Sequence, residues 1–428
     1  MIEPAAPCEP TAVFECLEPA LEDGEISLRY AARAADGSTH RFRERVRFPF
    51  ALASVDPEIS RPVLRLLSLA ASLSYFKAFA PAELVVPGGL TAGERRFSEA
   101  LIRQGLGEFA YTNNLPEVLQ TPISAPELPV AAASAVPDDV APGPERLLVA
   151  VGGGKDSAVS IEVAKAAGFD TALFAANGYK PILDTASVAR LPLFVAEREL
   201  DKSLLALNAA GAPNGHVPVT AVNSLLTVLA ALALDRDTVV FSNEASASSG
   251  NTTRWGEQIN HQWSKSFEFE RLLRDTLPAG APRYVSLLRP LTELRISRRF
   301  ARLPEYHGVF VSCNRAFKLD AARRGAWCAD CPKCRFVFLS LAPFMSREAL
   351  LEIFTGRDML ADRAQLDGFL DLLGAGGRLK PFECVGEAVE CRVALDLLRE
   401  HPDWRDHPFL ADPAVEPIRS APYEREAV

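Results

Sequence analysis

The chain has 428 residues, 48% of them hydrophobic and 24% charged, and a net charge of −9. That hydrophobic share can bury a large core, and the length suggests two or three domains. The acidic balance speaks against a general nucleic-acid surface, which needs clustered Lys and Arg to neutralise phosphates. No apolar run is long and uncharged enough to span a bilayer, and the first residues lack the basic and apolar regions of a signal peptide. A cytoplasmic location without membrane insertion is therefore expected. Eight cysteines in so long a chain read as metal ligands, catalytic thiols or core residues rather than a disulfide framework.

Residues 1–120 read as an N-terminal α+β domain. Segments 11–16, 25–32 and 40–48, separated by Glu22-Asp23-Gly24 and Asp36-Gly37-Ser38, predict a small antiparallel sheet. Residues 61–79 and 92–104 carry apolar positions at helical spacing, around a short strand at 84–86. Residues 121–144 have the Pro/Ala-rich, charge-poor composition of a linker. Strand and helix then alternate, with strands at 147–151, 171–175, 193–196 and 238–242 and helices at 156–167 and 219–234. This pattern predicts a doubly wound parallel α/β sheet over residues 145–343. Residues 344–428 read as mostly helical, with helices at 347–354, 366–373 and 389–401 and a polar, Gly/Pro-marked turn at 380–387.

Ligands of doubly wound sheets lie beyond the carboxyl ends of the strands. There the first strand of this region runs into Gly152, Gly153, Gly154, Lys155, Asp156 and Ser157. Glycines bring bare N–H groups against a phosphate, and the following helix adds its positive end, so ATP or a relative is the expected ligand. The spacing is neither GxxxxGK[ST] nor the dinucleotide fingerprint. Two other strand ends are polar, at Asn177-Gly178 and at Ser242-Asn243-Glu244. A carboxylate such as Glu244 beside a triphosphate suits Mg²⁺, which prefers oxygen ligands. Asn223 and Ser224, near the start of the 219–234 helix, either face the nucleotide or substrate or serve the helix start.

Residues 251–268 pack Arg254, Trp255, Gln258, His261, Trp263 and Lys265 into one stretch. Two Trp rings among amide and charged groups suggest a wall for a sugar or peptide, the plainer reading being an amphipathic surface helix. On a helix, His261 and Lys265 would share a face and could act as general base or anion clamp. Cys328, Cys331 and Cys334 follow one another at metal-ligand spacing, with Cys313 fifteen residues upstream. Four such thiolates would hold a structural Zn²⁺ tetrahedrally, or else pack as reduced cysteines in a loop. Arg315 could bind an anionic substrate. Cys384, in the 380–387 turn, would have a lowered pKa only with Lys380 close in space, the plainer and preferred reading being a buried inert thiol.

The glycine loop resembles the SGGxDS loop of the PP-loop, or N-type ATP pyrophosphatase, superfamily, with Gly152 replacing the usual leading Ser and Lys155 as a compensating cation. The cysteine run resembles the zinc-bearing tail of the 7-cyano-7-deazaguanine synthases. Over most of its length the chain resembles the UDP-N-acetyl-α-D-muramoyl-L-alanyl-L-glutamate epimerase family, through residues 152–157, 214–224, 242–268, 312–315, 328–334 and 380–386. That resemblance implies an adenine nucleotide α-hydrolase-like fold and ATP-dependent inversion of the terminal L-glutamate of UDP-MurNAc-L-Ala-L-Glu. The inversion would run through an acyl-adenylate, releasing AMP and diphosphate, in peptidoglycan precursor synthesis. It implies proton transfer by residues among His261, Lys265, Cys313 and Cys384, nucleotide contacts from residues 152–157 and Asn177, and Mg²⁺ at Glu244. Substrate contacts would come from Asn223, Ser224, Arg254, Trp255, Gln258, Trp263 and Arg315. A Cys313 that holds zinc cannot also be the base. A PP-loop ligase or amidase, including a deazaguanine nitrile synthase, and a non-catalytic nucleotide-binding protein stay open as alternatives, as does the oligomeric state.

Overall fold

The computed structural model describes residues 11–22, 24–34, 37–52, 55–129, 145–317 and 326–427. Its first strands are β1 (Thr11–Cys16), β2 (Ala20–Glu22), β3 (Glu25–Ala34) and β4 (Thr39–Arg47). Helix α1 (Pro57–Phe76) begins with proline at its first position, and Asp56 accepts from the Glu58 amide at 2.9 Å, the usual way to satisfy an orphan N–H. Then come β5 (Leu84–Val85), α2 (Ala92–Arg103), α3 (Gly107–Asn113) and β6 (Ile123–Ser124). A reciprocal Thr91 and Glu94 capping box opens α2.

The alternating region contains β7 (Arg146–Ala150), α4 (Lys155–Ala166), β8 (Asp170–Ala176), α5 (Lys180–Ala189), β9 (Leu193–Glu199), α6 (Ser203–Ala209), α7 (Val219–Ala233) and β10 (Thr238–Phe241). A hairpin of β11 (Thr252–Arg254) and β12 (Glu257–Ile259) follows, then α8 (Phe267–Thr276), β13 (Arg283–Ser286) and α9 (Glu293–Phe300). The chain closes with α10 (Pro332–Leu341), α11 (Arg347–Ile353), α12 (Leu366–Leu373), α13 (Ala388–Glu400) and α14 (Pro422–Ala427).

One sheet runs β13-β10-β7-β8-β9-β4-β3-β1-β5-β6, with β2 attached to β3. The pairings from β13 to β9 are all parallel, whereas β9 with β4, β4 with β3 and β3 with β1 are antiparallel. The fold is therefore α/β with a mixed, mostly parallel central sheet. The N-terminal strands are not a sheet of their own: Arg45, Val46 and Arg47 of β4 pair with Glu199, Arg198 and Glu197 of β9. A buried ion pair from Arg198 Nε to Glu44 at 2.6 Å secures that seam. The segment expected to be a linker instead begins in ordered structure, with β6 paired to β5 and Glu127 bridged to Leu90, and residues 130–144 lie outside the described residues.

Strand residues alternate between two cores, as a period of two requires when both faces are covered. Leu148, Phe174 and Val239 enter one core with α1 and α7; Leu147, Val149, Leu173 and Val240 enter the other with α4, α10 and α13. Almost every position of α7 is buried, which explains its continuous apolar sequence. The order of the parallel strands reverses between β7 and β10, so the loops after these strands diverge and leave a crevice. Residues 151–154 and 242–244 flank it. Among the described residues, no helix is long and apolar enough to cross a membrane.

Candidate active site

The glycine loop takes the shape its composition demands. Gly153 has φ +77°, and a Cβ there would lie 2.8 Å from Pro181; a Cβ on Gly154 would meet the Ser312 hydroxyl at 2.7 Å. Residue 152 faces open space. Val311 N donates to Gly153 O at 2.8 Å, docking the 309–313 segment over the turn. Gly154 caps α4 without a side chain, which leaves the first amides of the helix unclaimed by any cap. Ser157 turns its hydroxyl to Gly154 O at 3.0 Å.

Lys155 departs from the expected phosphate cation. It is fully buried and pairs with Asp156 at 2.5 Å and with Glu293 at the start of α9. Burial alone would lower its pKa, but the two carboxylates outweigh that and hold it above the ordinary value. Lys333 approaches Glu293 from the other side at 3.7 Å. Across the crevice Glu244 is buried, its carbonyl taken by Arg289 at 2.6 Å. Burial and the Glu293 carboxylate push Glu244 up to about 7. Asn177, at φ +65°, spends its side-chain oxygen on the Arg198 amide at 2.9 Å.

A second group assembles from distant segments. Lys265 Nζ donates to Cys384 Sγ at 3.2 Å, and His261, whose Nδ1 pairs with Glu108 of α3, lies near enough to Cys384 for each to shift the other's pKa. His216 lies against His261 with ring centroids 4.2 Å apart. Its loop is held by Lys77, which donates to Asn214 and to Gly215 O at 2.8 Å. Burial would raise the Cys384 thiol, but Lys265 and His261 bring it down to about 5. Burial would lower His261, but Cys384 and Glu108 raise it to about 9. Burial lowers His216 to about 3, leaving a neutral ring. These shifts favour a thiolate at Cys384 with two cations, Lys265 and His261, as its counter-charges and Glu108 paired to the imidazole. Lys265 also links it to the crevice, since Glu244 and Asp156 raise its pKa after Cys384 does.

His261 and Lys265 are not on one helix: residues 251–268 form a hairpin, a turn, a short 3-10 turn and the start of α8. Much of the polar density there builds that loop and docks the 380–387 turn. Asn251 donates to Pro381 O at 2.8 Å and accepts from His261 N at 3.0 Å. Gln262 reaches Val385 O at 3.2 Å, Asn260 holds Ala247 O at 3.0 Å, and Tyr111 of α3 meets Phe382 at 5.2 Å. Lys265, not Lys380, is the cation beside Cys384.

Several expected substrate contacts lie elsewhere. Trp263 is buried in the core against Phe269, 5.3 Å between centroids. Ser224 is fully buried on Thr220 O and the Tyr284 hydroxyl, both at 2.8 Å, and the Asn223 carbonyl accepts from Thr227. Arg254, Trp255 and Gln258 are on the exposed hairpin, where Arg254 lies 5.6 Å over the Trp255 ring. Arg315 pairs with Asp330 at 3.3 Å beside the cysteines and lines a cleft of about 720 Å³ with Trp327, Arg357 and Gln365.

Cys313, Cys328, Cys331 and Cys334 converge, their sulfurs all within 4.8 Å of one another. Separations of 3.4 Å (Cys331 to Cys334), 3.6 Å (Cys328 to Cys334) and 4.0 Å (Cys313 to Cys331) bracket the ~3.8 Å edge of a tetrahedron with 2.3 Å Zn–S bonds. The donor set fits a closed structural zinc site, with Cys313 a member of it and apart from Cys384. Glu108, Glu293 and Lys333 were not singled out from the sequence; no local motif marks them.

The chain matches the model of the MurL N-terminal domain over residues 9–287 and that of the MurL C-terminal domain over residues 309–426. A protein of a Micromonospora species, named UDP-N-acetyl-alpha-D-muramoyl-L-alanyl-L-glutamate epimerase, is 47% identical over 403 residues, covering 91% of this chain and 87% of that protein. Its namesake from Salinispora tropica is 46% identical over 398 residues, 91% of this chain and 85% of that protein. One from Xanthomonas oryzae pv. oryzae is 43% identical over 363 residues, 84% and 79% of the two chains. With family matches spanning nearly its whole length and these identities to named epimerases, the chain belongs to the MurL epimerase family and is an isomerase.

Proposed function

We propose that this protein inverts the terminal L-glutamate of UDP-MurNAc-L-Ala-L-Glu to D-glutamate, with ATP as co-substrate, in the cytoplasmic synthesis of peptidoglycan precursors, and that it is a PP-loop enzyme. One observation carries the reading: Lys265 Nζ lies 3.2 Å from Cys384 Sγ, while Arg289 donates both to the Lys265 carbonyl at 2.7 Å and to the Glu244 carbonyl at 2.6 Å at the edge of the crevice. Carboxylate activation and proton transfer then belong to joined segments.

The chemistry needs both. A free α-carboxylate is already anionic, so its neighbouring Cα–H resists removal. Adenylation cancels that charge, lets the carbonyl accept electron density from Cα, and releases diphosphate; later hydrolysis returns the carboxylate and AMP. The unclaimed amides at the start of α4 suit the phosphates of ATP. Glu244 and Asp156 offer oxygens for Mg²⁺, while Lys155 and Lys333 keep Glu293 ionised between them. Cys384, His261 and Lys265 form the proton-transfer set, oriented by Glu108. The four-cysteine cluster, holding Zn²⁺, would fix the 309–313 segment over the loop and the start of α10.

The test is the chirality of the terminal glutamate after incubation of the UDP-muramoyl dipeptide with the protein, ATP and Mg²⁺. D-Glutamate should accumulate together with AMP and diphosphate, and Asp156→Asn should lose all three. Inversion without ATP, or AMP formation with no inversion, contradicts the reading.

A further inference from the structure

Cys384, His261 and Glu108 are arranged as a nucleophile with the Lys265 ammonium 3.2 Å from its sulfur, a base whose charge bears on it, and a carboxylate that pairs with that base. Proton transfer alone does not ask for that order. A thiolate held between an ammonium and an imidazolium is a weak base toward carbon, yet it remains a strong nucleophile toward an activated acyl group. Its position favours attack, because Arg289 joins the Lys265 carbonyl at 2.7 Å to the Glu244 carbonyl at 2.6 Å, tying the Cys384 partner to the crevice that would hold the adenylated carboxyl.

We propose that Cys384 is a covalent catalyst: its thiolate attacks the adenylated α-carbonyl of the substrate glutamate, and inversion takes place on the resulting thioester. The inference rests on the adenylation reading above. The Sγ–C bond forms as the C–O bond to AMP breaks, and AMP leaves with that electron pair. The glutamate Cα is then one bond from a carbonyl attached to Cys384, next to His261 and Lys265. Acylation also removes the negative charge that kept both groups protonated, so His261 gives its extra proton to solvent and, backed by Glu108, can take the proton from Cα. After reprotonation on the opposite face, water adds to the carbonyl. The C–S bond breaks to return the thiolate; of the two protons this hydrolysis sets free, one restores the protonated Lys265–His261 pair and the other leaves with the product carboxylate. No oxidant or further reactant is needed.

This role predicts a different failure from that of a base. If Cys384 only moved a proton, its loss would leave the adenylate free to hydrolyse, so AMP release would continue without inversion. If it is the acyl acceptor, AMP release and inversion fall together. The experiment uses the full-length enzyme with the UDP-muramoyl dipeptide, ATP and Mg²⁺ under single turnover. AMP release, glutamate chirality and ATP–pyrophosphate exchange are followed for wild type, Cys384→Ser and Cys384→Ala, and acid-quenched wild-type samples are mapped by mass for acylation. The expected result is an acyl adduct on the Cys384 peptide that hydroxylamine removes, and a fall of more than about 100-fold in both AMP release and inversion in the variants. AMP released at near wild-type rate by either variant, or wild-type turnover with no adduct at Cys384 at any quench time, overturns the proposal. Loss of ATP-dependent inversion in the wild type would instead overturn the adenylation reading itself.

Discussion

The molecule carries thiols in two settings, and they differ in everything but the atom. Cys313, Cys328, Cys331 and Cys334 face one another across 3.4 to 4.0 Å where their contacts are resolved, at the N-terminal end of α10. Cys384 has no sulfur neighbour among its contacts; its partners are an ammonium and an imidazole from another part of the chain. The first setting suits a divalent cation shared by four thiolates that closes a fold; the second supplies the counter-charges from the protein and leaves the sulfur open to react. Reactivity here is a property of neighbours.

The sharpest way to break this contrast is to exchange the losses. Cys384→Ala should reduce inversion by more than about 100-fold with zinc content unchanged, read by metal analysis and glutamate chirality on the same sample. Cys331→Ser should instead lower bound zinc below one per chain and the melting temperature by roughly 5 °C or more, by scanning calorimetry. Equal effects of the two on zinc would dissolve the distinction.

The pH dependence of kcat/KM sharpens it further. Cys384 is held below its ordinary range, so the thiolate is present above about 5 and lost as pH falls through that value. His261 is held above its ordinary range, so the imidazolium is present below about 9 and lost as pH rises through it. Inversion should plateau between these limbs, which belong to the coupled pair rather than to either residue. Lys265→Met removes the strongest charge lowering the thiol, and the acid limb should move up. Glu108→Gln should cost about 10- to 100-fold and bring the basic limb down. Limbs that stay in place in both variants would detach the cluster from the rate.

The smallest effect belongs to the leading glycine of the loop. Gly152→Ser meets no atom within 4 Å and should keep inversion within about threefold of wild type. Gly153→Ala, at φ +77° and 2.8 Å from Pro181, should destabilise the loop by ~1–3 kcal/mol, measured by denaturant titration.

What could be read from sequence follows the range of the interactions. The glycine loop is local: a strand, a turn that only glycine permits, and a helix start, all within a dozen residues. The cysteine run is nearly so. His261, Lys265 and Cys384 stood out individually, but for reasons the structure replaces: no helix joins the first two, and Lys380 is not the partner of the third. Their contacts span 119 residues from Lys265 to Cys384 and 153 from Glu108 to His261, separations at which composition carries no information. Trp263 shows the converse. A tryptophan among amides reads as a binding wall, yet the amides hold the 380–387 turn and the indole fills the core. The joining of the N-terminal strands to the central sheet through β4 and β9 likewise depends on a pairing between strands about 150 residues apart in sequence.

The central claim is that inversion happens at Cys384, His261 and Lys265, and that the glycine loop only prepares the substrate. The direct measurement is solvent deuterium entering the glutamate Cα when the substrate is supplied already adenylated in D₂O. Asp156→Asn should still incorporate deuterium, whereas Cys384→Ala and His261→Asn should not. Incorporation that survives in Cys384→Ala and His261→Asn would contradict the account.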